Sequence, residues 1–243
     1  MKLPLVSPFI VPYEVWLTRE PTWDERRTSL ATTGRSCGQI KVSRVAVIKS
    51  EIEAANRICN VKYDPSLRQH VNTQLDSLAS YKAWMQATNW ECPDSLITYQ
   101  QNYPNYDIAV VEDDIKSFGL VLSEGQVLFH AGAWPAGQTT FQTTEPFSTS
   151  FCPEAAFRNA EHKAKAYNAG KLDLLVITVK STSANVFPYP RVGQFAHENE
   201  VLFSSGITLT KVNSSTVDTN FRVIKDEYSD KYVAVSVVEV ELT

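Results

Sequence analysis

Three short stretches of this 243-residue chain carry side chains able to do chemistry. They are Val127-Leu128-Phe129-His130-Ala131-Gly132, then Phe147-Ser148-Thr149-Ser150-Phe151, then His197-Glu198-Asn199-Glu200-Val201-Leu202. An imidazole hydrogen-bonds in either protonation state and titrates near neutrality. Hydroxyls satisfy backbone groups in turns and at helix caps. Two glutamates with one residue between them share a face if the segment is a strand, because strand side chains alternate with period two. Each stretch alone is also ordinary structure: a histidine on a strand is more often packed than catalytic, and a Glu-x-Glu pair is usually a solvated face.

Strands must position such groups, and from residue 126 the chain reads as short β-rich runs. These are residues 126–130, 172–180, 200–203, 207–212 and 232–242, separated by turn residues. In the last run Val233, Val235 and Val237 point one way while Val238, Val240 and Leu242 continue in the opposite phase, which predicts a β-bulge near Val237. Residues 153–167 read as a helix, with Pro153 near its start, five alanines keeping it slim and Gly170 just past its end. Upstream, Asp64-Pro65 is a capping residue followed by proline at the first helical position. Leu67, Val71, Leu75, Leu78 and Met85 then recur at helical intervals, which predicts one amphipathic helix over 64–88 with a packing face. The first sixty residues alternate Pro-rich turns with apolar runs such as 42–48, around a loop-like stretch at 28–38.

In this order and with these flanks, the three stretches resemble the ADP-ribosyltransferase superfamily over about half the chain, residues 127–212 with the terminal strand added. That family is similar in having a first strand ending in Arg or His, a second opening on Ser-Thr-Ser before a helix, and a later one entered through Glu-x-Glu or Gln-x-Glu. The continuation Glu200-Val-Leu-Phe-Ser-Ser-Gly-Ile-Thr-Leu is similar too. The resemblance implies an α+β fold with an ADP-ribosyltransferase-like split β-sheet core. It places an NAD-binding catalytic domain at 121–243, behind an N-terminal, partly helical extension at 1–120. The implied activity is mono-ADP-ribosyl transfer from NAD+ to a protein acceptor, with arginine favoured and nicotinamide released. NAD+ enters as a substrate, and no metal is implied.

Breaking the nicotinamide–ribose bond builds positive charge on the ribose, which a fixed carboxylate stabilises more in the transition state than in the ground state. Glu200 is the candidate. By the resemblance, Ser148 orients Glu200, Thr149 and Ser150 pin the strand and cap the following helix, and Glu198 positions or deprotonates the acceptor. His130, Ala131 and Gly132 complete the NAD-binding set with Ser148, Thr149, Ser150 and Glu200. His130 stands where members with Ser-Thr-Ser and Glu-x-Glu usually carry Arg, and it resembles the branch of diphtheria toxin and the poly-ADP-ribose polymerases. Histidine can hydrogen-bond a ribose hydroxyl but cannot grip a pyrophosphate bidentately, which leaves Arg158 and Arg191 as sources of positive charge. Phe187, Tyr189 and Phe195 lie in the loop that the resemblance assigns to target recognition. The equal alternative is a surface loop anchored by its aromatics.

With 43% hydrophobic and 21% charged residues the chain can build an ordinary core, which argues against wholesale disorder. A net charge of −4 offers no general attraction for phosphate backbones, so nucleic acid is not the favoured partner. The four cysteines are scattered without a C-x-x-C pair, which argues against a zinc site and for buried free thiols. No apolar run approaches the ~18 residues of a membrane span, and the first eight residues hold no signal-peptide core. The expectation is a cytoplasmic chain without a membrane partner, or one delivered into a target cell by a secretion machine or a phage particle. Three competing readings remain at this level: transfer to nucleic acid, NAD+ hydrolysis with water as acceptor, and a non-enzymatic binding module that has lost NAD.

Overall fold

A computed structural model describes every residue except Trp90 and Thr182. In chain order the elements are β1 (Lys2–Leu3), β2 (Tyr13–Arg19), α1 (Trp23–Thr33), β3 (Ile40–Ile48), α2 (Glu51–Val61), α3 (Pro65–Ser77), α4 (Ala79–Ala87), α5 (Asp94–Asn102) and α6 (Ile108–Ser117). There follow β4 (Val121–Leu122), β5 (Val127–Gly132), β6 (Thr140–Gln142), β7 (Phe147–Ser150), α7 (Pro153–Glu161), α8 (Lys165–Ala169), β8 (Lys171–Val179), β9 (Val186–Pro188), β10 (Glu200–Phe203), β11 (Thr208–Val223) and β12 (Lys231–Leu242). The chain divides into two compact units, Phe9–Ser50 and the remainder, Met1–Pro8 with Glu51–Thr243. Residues 51–117 therefore share a unit with the strands from 121 onward, and this division does not fall at 120.

In the smaller unit β2 and β3 pair antiparallel, with α1 between them in sequence. A capping box starts α1: the Thr22 hydroxyl accepts from the Glu25 amide, and the Glu25 carboxylate accepts from the Thr22 amide at 2.8 Å. The stretch at 28–38, expected as a loop, is thus helical as far as Thr33, and Thr22-x-x-Glu25 is the start signal in the sequence.

In the larger unit an eight-stranded sheet runs in the order β6-β11-β12-β8-β5-β7-β10-β9, packed with helices, so the expected α+β class is what the structure shows. The split falls between β5 and β7, which are joined by a single residue pair, Phe129 with Ser150. On either side pairing is continuous, β5 with β8 from Val127 to Gly132 and β7 with β10 from Phe147 to Ser150. β8 and β12 lie parallel in the centre, which suits their near-continuous apolar sequences. Their register is unbroken from Ala234 to Leu242, and Ser236, Val237 and Val238 are all buried. The bulge expected near Val237 is therefore absent from β12. Adjacent valines fit there because both faces of the strand are covered. The register shifts against β11 lie between Lys211 and Asn213, between Thr216 and Asp218 and between Asp218 and Phe221, and at each of them β11 carries one residue more than β12.

Two helices expected as continuous are broken. Asp64 caps α3, its carboxylate accepting from the Leu67 amide at 3.0 Å, but Leu78 is extended (φ −73°, ψ 122°) and a separate helix, α4, begins after it. The break lets Trp84 bury completely and donate from its indole to the Pro4 carbonyl at 2.7 Å. The helix expected over 153–167 ends at Glu161, passes through a 3₁₀ turn with Lys163 and Ala164 at positive φ, and restarts at Lys165. Gly170 closes it at φ 73°. All four cysteines are free thiols, Cys59 and Cys152 buried, Cys37 and Cys92 half-buried. Among the described residues no helix is long and apolar enough to cross a membrane.

Candidate active site

The candidate side chains gather beside the single β5/β7 pair, Phe129 with Ser150. His130 follows Phe129 on β5, and its Nδ1 lies 2.8 Å from the Ser148 carbonyl oxygen on β7. A carbonyl only accepts, so Nδ1 carries the hydrogen and Nε2 keeps its lone pair. Burial pushes the imidazole pKa down to about 4, against the Ser148 bond that favours the charged form and with the help of the Lys165 charge. The ring is neutral at pH 7 and lies against Phe147, with centroids 4.4 Å apart. Ala131 is buried, and Gly132 ends the strand. A Cβ on Gly132 would stand 3.2 Å from His130 Nε2, so glycine leaves the imidazole its room.

Glu200 opens β10 and is buried. Ser148 Oγ donates to its Oε1 at 2.5 Å, and Gln100 Nε2, from α5, donates to its Oε2 at 2.8 Å. Burial pushes the Glu200 carboxyl up to about 7, opposed by the Ser148 bond, reinforced by the Glu198 charge and opposed again by the Gln100 bond. The other two hydroxyls of the run hold backbone. Thr149 Oγ1 donates to the Val201 carbonyl at 2.7 Å, tying β7 to β10. Ser150 Oγ donates to the Glu198 carbonyl at 2.5 Å and accepts from the Cys152 amide at 2.9 Å, just ahead of α7.

Glu198 does not lie on the strand. It closes a 3₁₀ turn, Ala196–Glu198, and Asn199 follows in the left-handed conformation (φ 50°, ψ 43°), so the strand begins only at Glu200. The shared strand face expected from period-two alternation is absent, and the turn sets the relation between the carboxyls instead. Asn199 is buried and donates to Asn72 Oδ1 at 2.9 Å, which ties the turn to α3. Burial raises the half-buried Glu198 carboxyl, and the Lys165 charge opposes this.

Lys165 is thus the cation whose charge acts on both His130 and Glu198. Its Nζ donates to Asn159 Oδ1 at 2.6 Å and stands 5.8 Å from the Tyr103 ring centre. With Gly132, Ala133 and Lys171 it also lines a cavity of about 90 Å³ beside the end of β5. The two arginines expected to supply positive charge are engaged elsewhere, Arg158 over the Tyr63 ring and Arg191 on Asp76 and the Asn72 carbonyl.

The aromatics of the loop before Glu198 divide. Phe187 and Tyr189 are core residues packed with Leu96, Tyr99 and Leu202, and the Tyr189 hydroxyl donates to the Leu96 carbonyl at 2.9 Å. They anchor the loop from inside, which is the alternative of a loop held by its own aromatics. Phe195 is half-buried, and the exposed apolar residue of the segment is Val192.

Helices α3, α4 and α5 brace the site. Phe151, directly after the hydroxyl run, packs against Tyr81 and Trp84 of α4 at 5.7 and 5.2 Å between ring centres. Gln100 is the contact the motif reading missed. Its signal was a polar residue four positions after Leu96, within the face that Leu96 and Tyr99 bury. Among the described residues no cluster of His, Cys, Asp or Glu side chains is placed to hold a metal ion.

No family model matches the chain, and no curated protein matches it. Solved structures do. The chain is similar to Vis, an ADP-ribosyltransferase from Vibrio splendidus in complex with agmatine, at TM-score 0.37 and 12% identity over 79% of this chain and 82% of that one. It is similar to C2-I, the enzymatic component of the C2-toxin from Clostridium botulinum, at TM-score 0.35 and 12% identity over 68% of this chain and 40% of that one. It is also similar to BECa, an ADP-ribosylating toxin of C. perfringens solved with NADH, at TM-score 0.33 and 13% identity over 81% of this chain and 51% of that one.

Proposed function

We propose that this chain is a mono-ADP-ribosyltransferase that moves ADP-ribose from NAD+ to a guanidinium nitrogen of a protein arginine. The observation that carries the reading is Glu200, a buried carboxylate held by Ser148 at 2.5 Å at the seam where His130 meets the same strand. In this reading the bond between ribose C1′ and nicotinamide breaks with its electron pair leaving on nicotinamide, and the ribose takes up positive charge. Ionised Glu200 stabilises that charge from a site of low polarity, where a fixed charge acts strongly. Neutral His130 offers the Nε2 lone pair to a ribose hydroxyl, and Lys165 supplies the positive charge that the imidazole lacks. The acceptor nitrogen then bonds to C1′, and Glu198 takes its proton. Burial raises the Glu198 carboxyl pKa, which makes it a stronger base for that transfer.

The test is incubation of the purified chain with labelled NAD+ and a protein mixture. Label on protein arginines supports the reading. Free ADP-ribose alone would point to hydrolysis, label in nucleic acid to the other acceptor class, and intact NAD+ to a binding module.

A further inference from the structure

We infer that Gln100 is a positioning residue for Glu200, its amide holding Oε2 of the carboxylate while Ser148 holds Oε1. The inference rests on the reading of Glu200 as the carboxylate that faces the ribose. The terminal torsion of a glutamate is broad, so one hydrogen bond leaves the carboxylate plane free to swing. A second bond, on the other oxygen, fixes it. Each oxygen accepts from one of these donors, at 2.5 Å and 2.8 Å, and keeps capacity for a substrate hydroxyl. The donor is neutral. An arginine or lysine there would compensate the charge that the substrate is to feel, whereas an amide orients it and leaves it intact.

The helix that carries Gln100 is itself held on two sides. Leu96 and Tyr99 are buried on the same face; the Leu96 carbonyl accepts from Tyr189, and the Tyr99 hydroxyl reaches the Pro146 carbonyl at 3.4 Å, just before β7. Four titratable groups act on Glu200 or are acted on by it. Tyr99 on α5, Tyr189 after β9 and Cys92 ahead of α5 are all pushed up by burial, Cys92 to about 12, so they stay neutral. Glu198 is the fourth and adds like charge, with Lys165 beyond it. His130, across the Ser148 strand, is neutral near pH 7. Gln100 and Ser148 are therefore the groups that favour ionised Glu200.

Carboxyl 13C NMR of the full chain tests this directly, with the Glu200 signal identified by its loss in Glu200→Gln. The wild-type signal is expected to titrate near pH 7, and in Gln100→Leu the midpoint moves to higher pH. Gln100→Glu, which keeps the size and shape, serves if leucine disturbs folding, and its midpoint moves further up because it places like charge against Glu200. The acid limb of NAD+ cleavage follows the same displacement, with kcat falling roughly tenfold in Gln100→Leu and KM for NAD+ little changed. An unmoved Glu200 midpoint in folded variants overturns the inference. Since the titration needs no turnover, a wild-type chain that leaves NAD+ intact overturns the proposed activity without touching the result on Gln100.

Discussion

Glu200 ionises at about pH 7 in the folded chain, against 4.5 for a free carboxyl, because burial outweighs the bonds from Ser148 and Gln100. A raised acid pKa gives stability that is complete below pH 4.5 and is lost as pH rises through about 7, while activity needs the ionised form and rises over the same window. Relative to wild type, Glu200→Gln is expected to gain roughly 3 kcal/mol of stability between pH 4 and pH 8. Urea unfolding at the two pH values measures this, and a constant difference would contradict it. Glu198→Gln is expected to impair transfer to arginine more than cleavage by water, as compared by label incorporation and free ADP-ribose; equal losses would place Glu198 on NAD+ itself. His130→Ala should weaken NAD+ binding by about 1–3 kcal/mol, seen by calorimetry. Unchanged binding would leave His130 a packed strand residue. The structure gathers His130, Ser148 and Glu200, the side chains that the sequence singles out by type, order and flanks. Lys165 reaches the site through tertiary packing alone, which no local pattern records, and Gln100 is marked only by its place on the face that Leu96 and Tyr99 bury.

At the scale of elements, caps and apolar runs were legible and breaks were not. Asp64-Pro65 marks the start of α3, where the Asp64 carboxylate caps the helix and also pairs with Arg57 at 2.5 Å while buried. Asp64→Ala is expected to cost about 2 kcal/mol or more in thermal or urea unfolding. Asp64→Asn, which keeps the cap, should cost less. Equal losses would mean that the ion pair, not the cap, carries the effect. The break at Leu78 escaped the periodicity because Leu75, Leu78 and Met85 fit one helix as well as two, and a single residue's ψ decides between them. The bulge was misplaced because alternation assumes one buried face. At β12 both faces are buried, so Val237 and Val238 carry no phase information. Glu198 misled in the same way, since Asn199 at φ 50° ends the alternation one residue before the strand begins.

At the scale of the molecule, the resemblance covered the strands after 126, and of helices α2 to α6 the sequence assigned only a packing face, over 64–88. They share a compact unit with the sheet and hold the site from behind, α3 through Asn72, α4 through Phe151 and α5 through Gln100. A chain cut to residues 121–243 would expose Phe151 and Tyr189 and lose the second bond to Glu200, so it is expected to show no cooperative unfolding by circular dichroism. The measurement that bears most directly on the central claim is nicotinamide release from NAD+ by the purified full chain, wild type against Glu200→Gln, with folding of both verified. Release by the wild type that rises with pH through about 7, and a fall of roughly two orders of magnitude or more in the variant, is the predicted result. Equal release by both proteins, or none by the wild type, would contradict it.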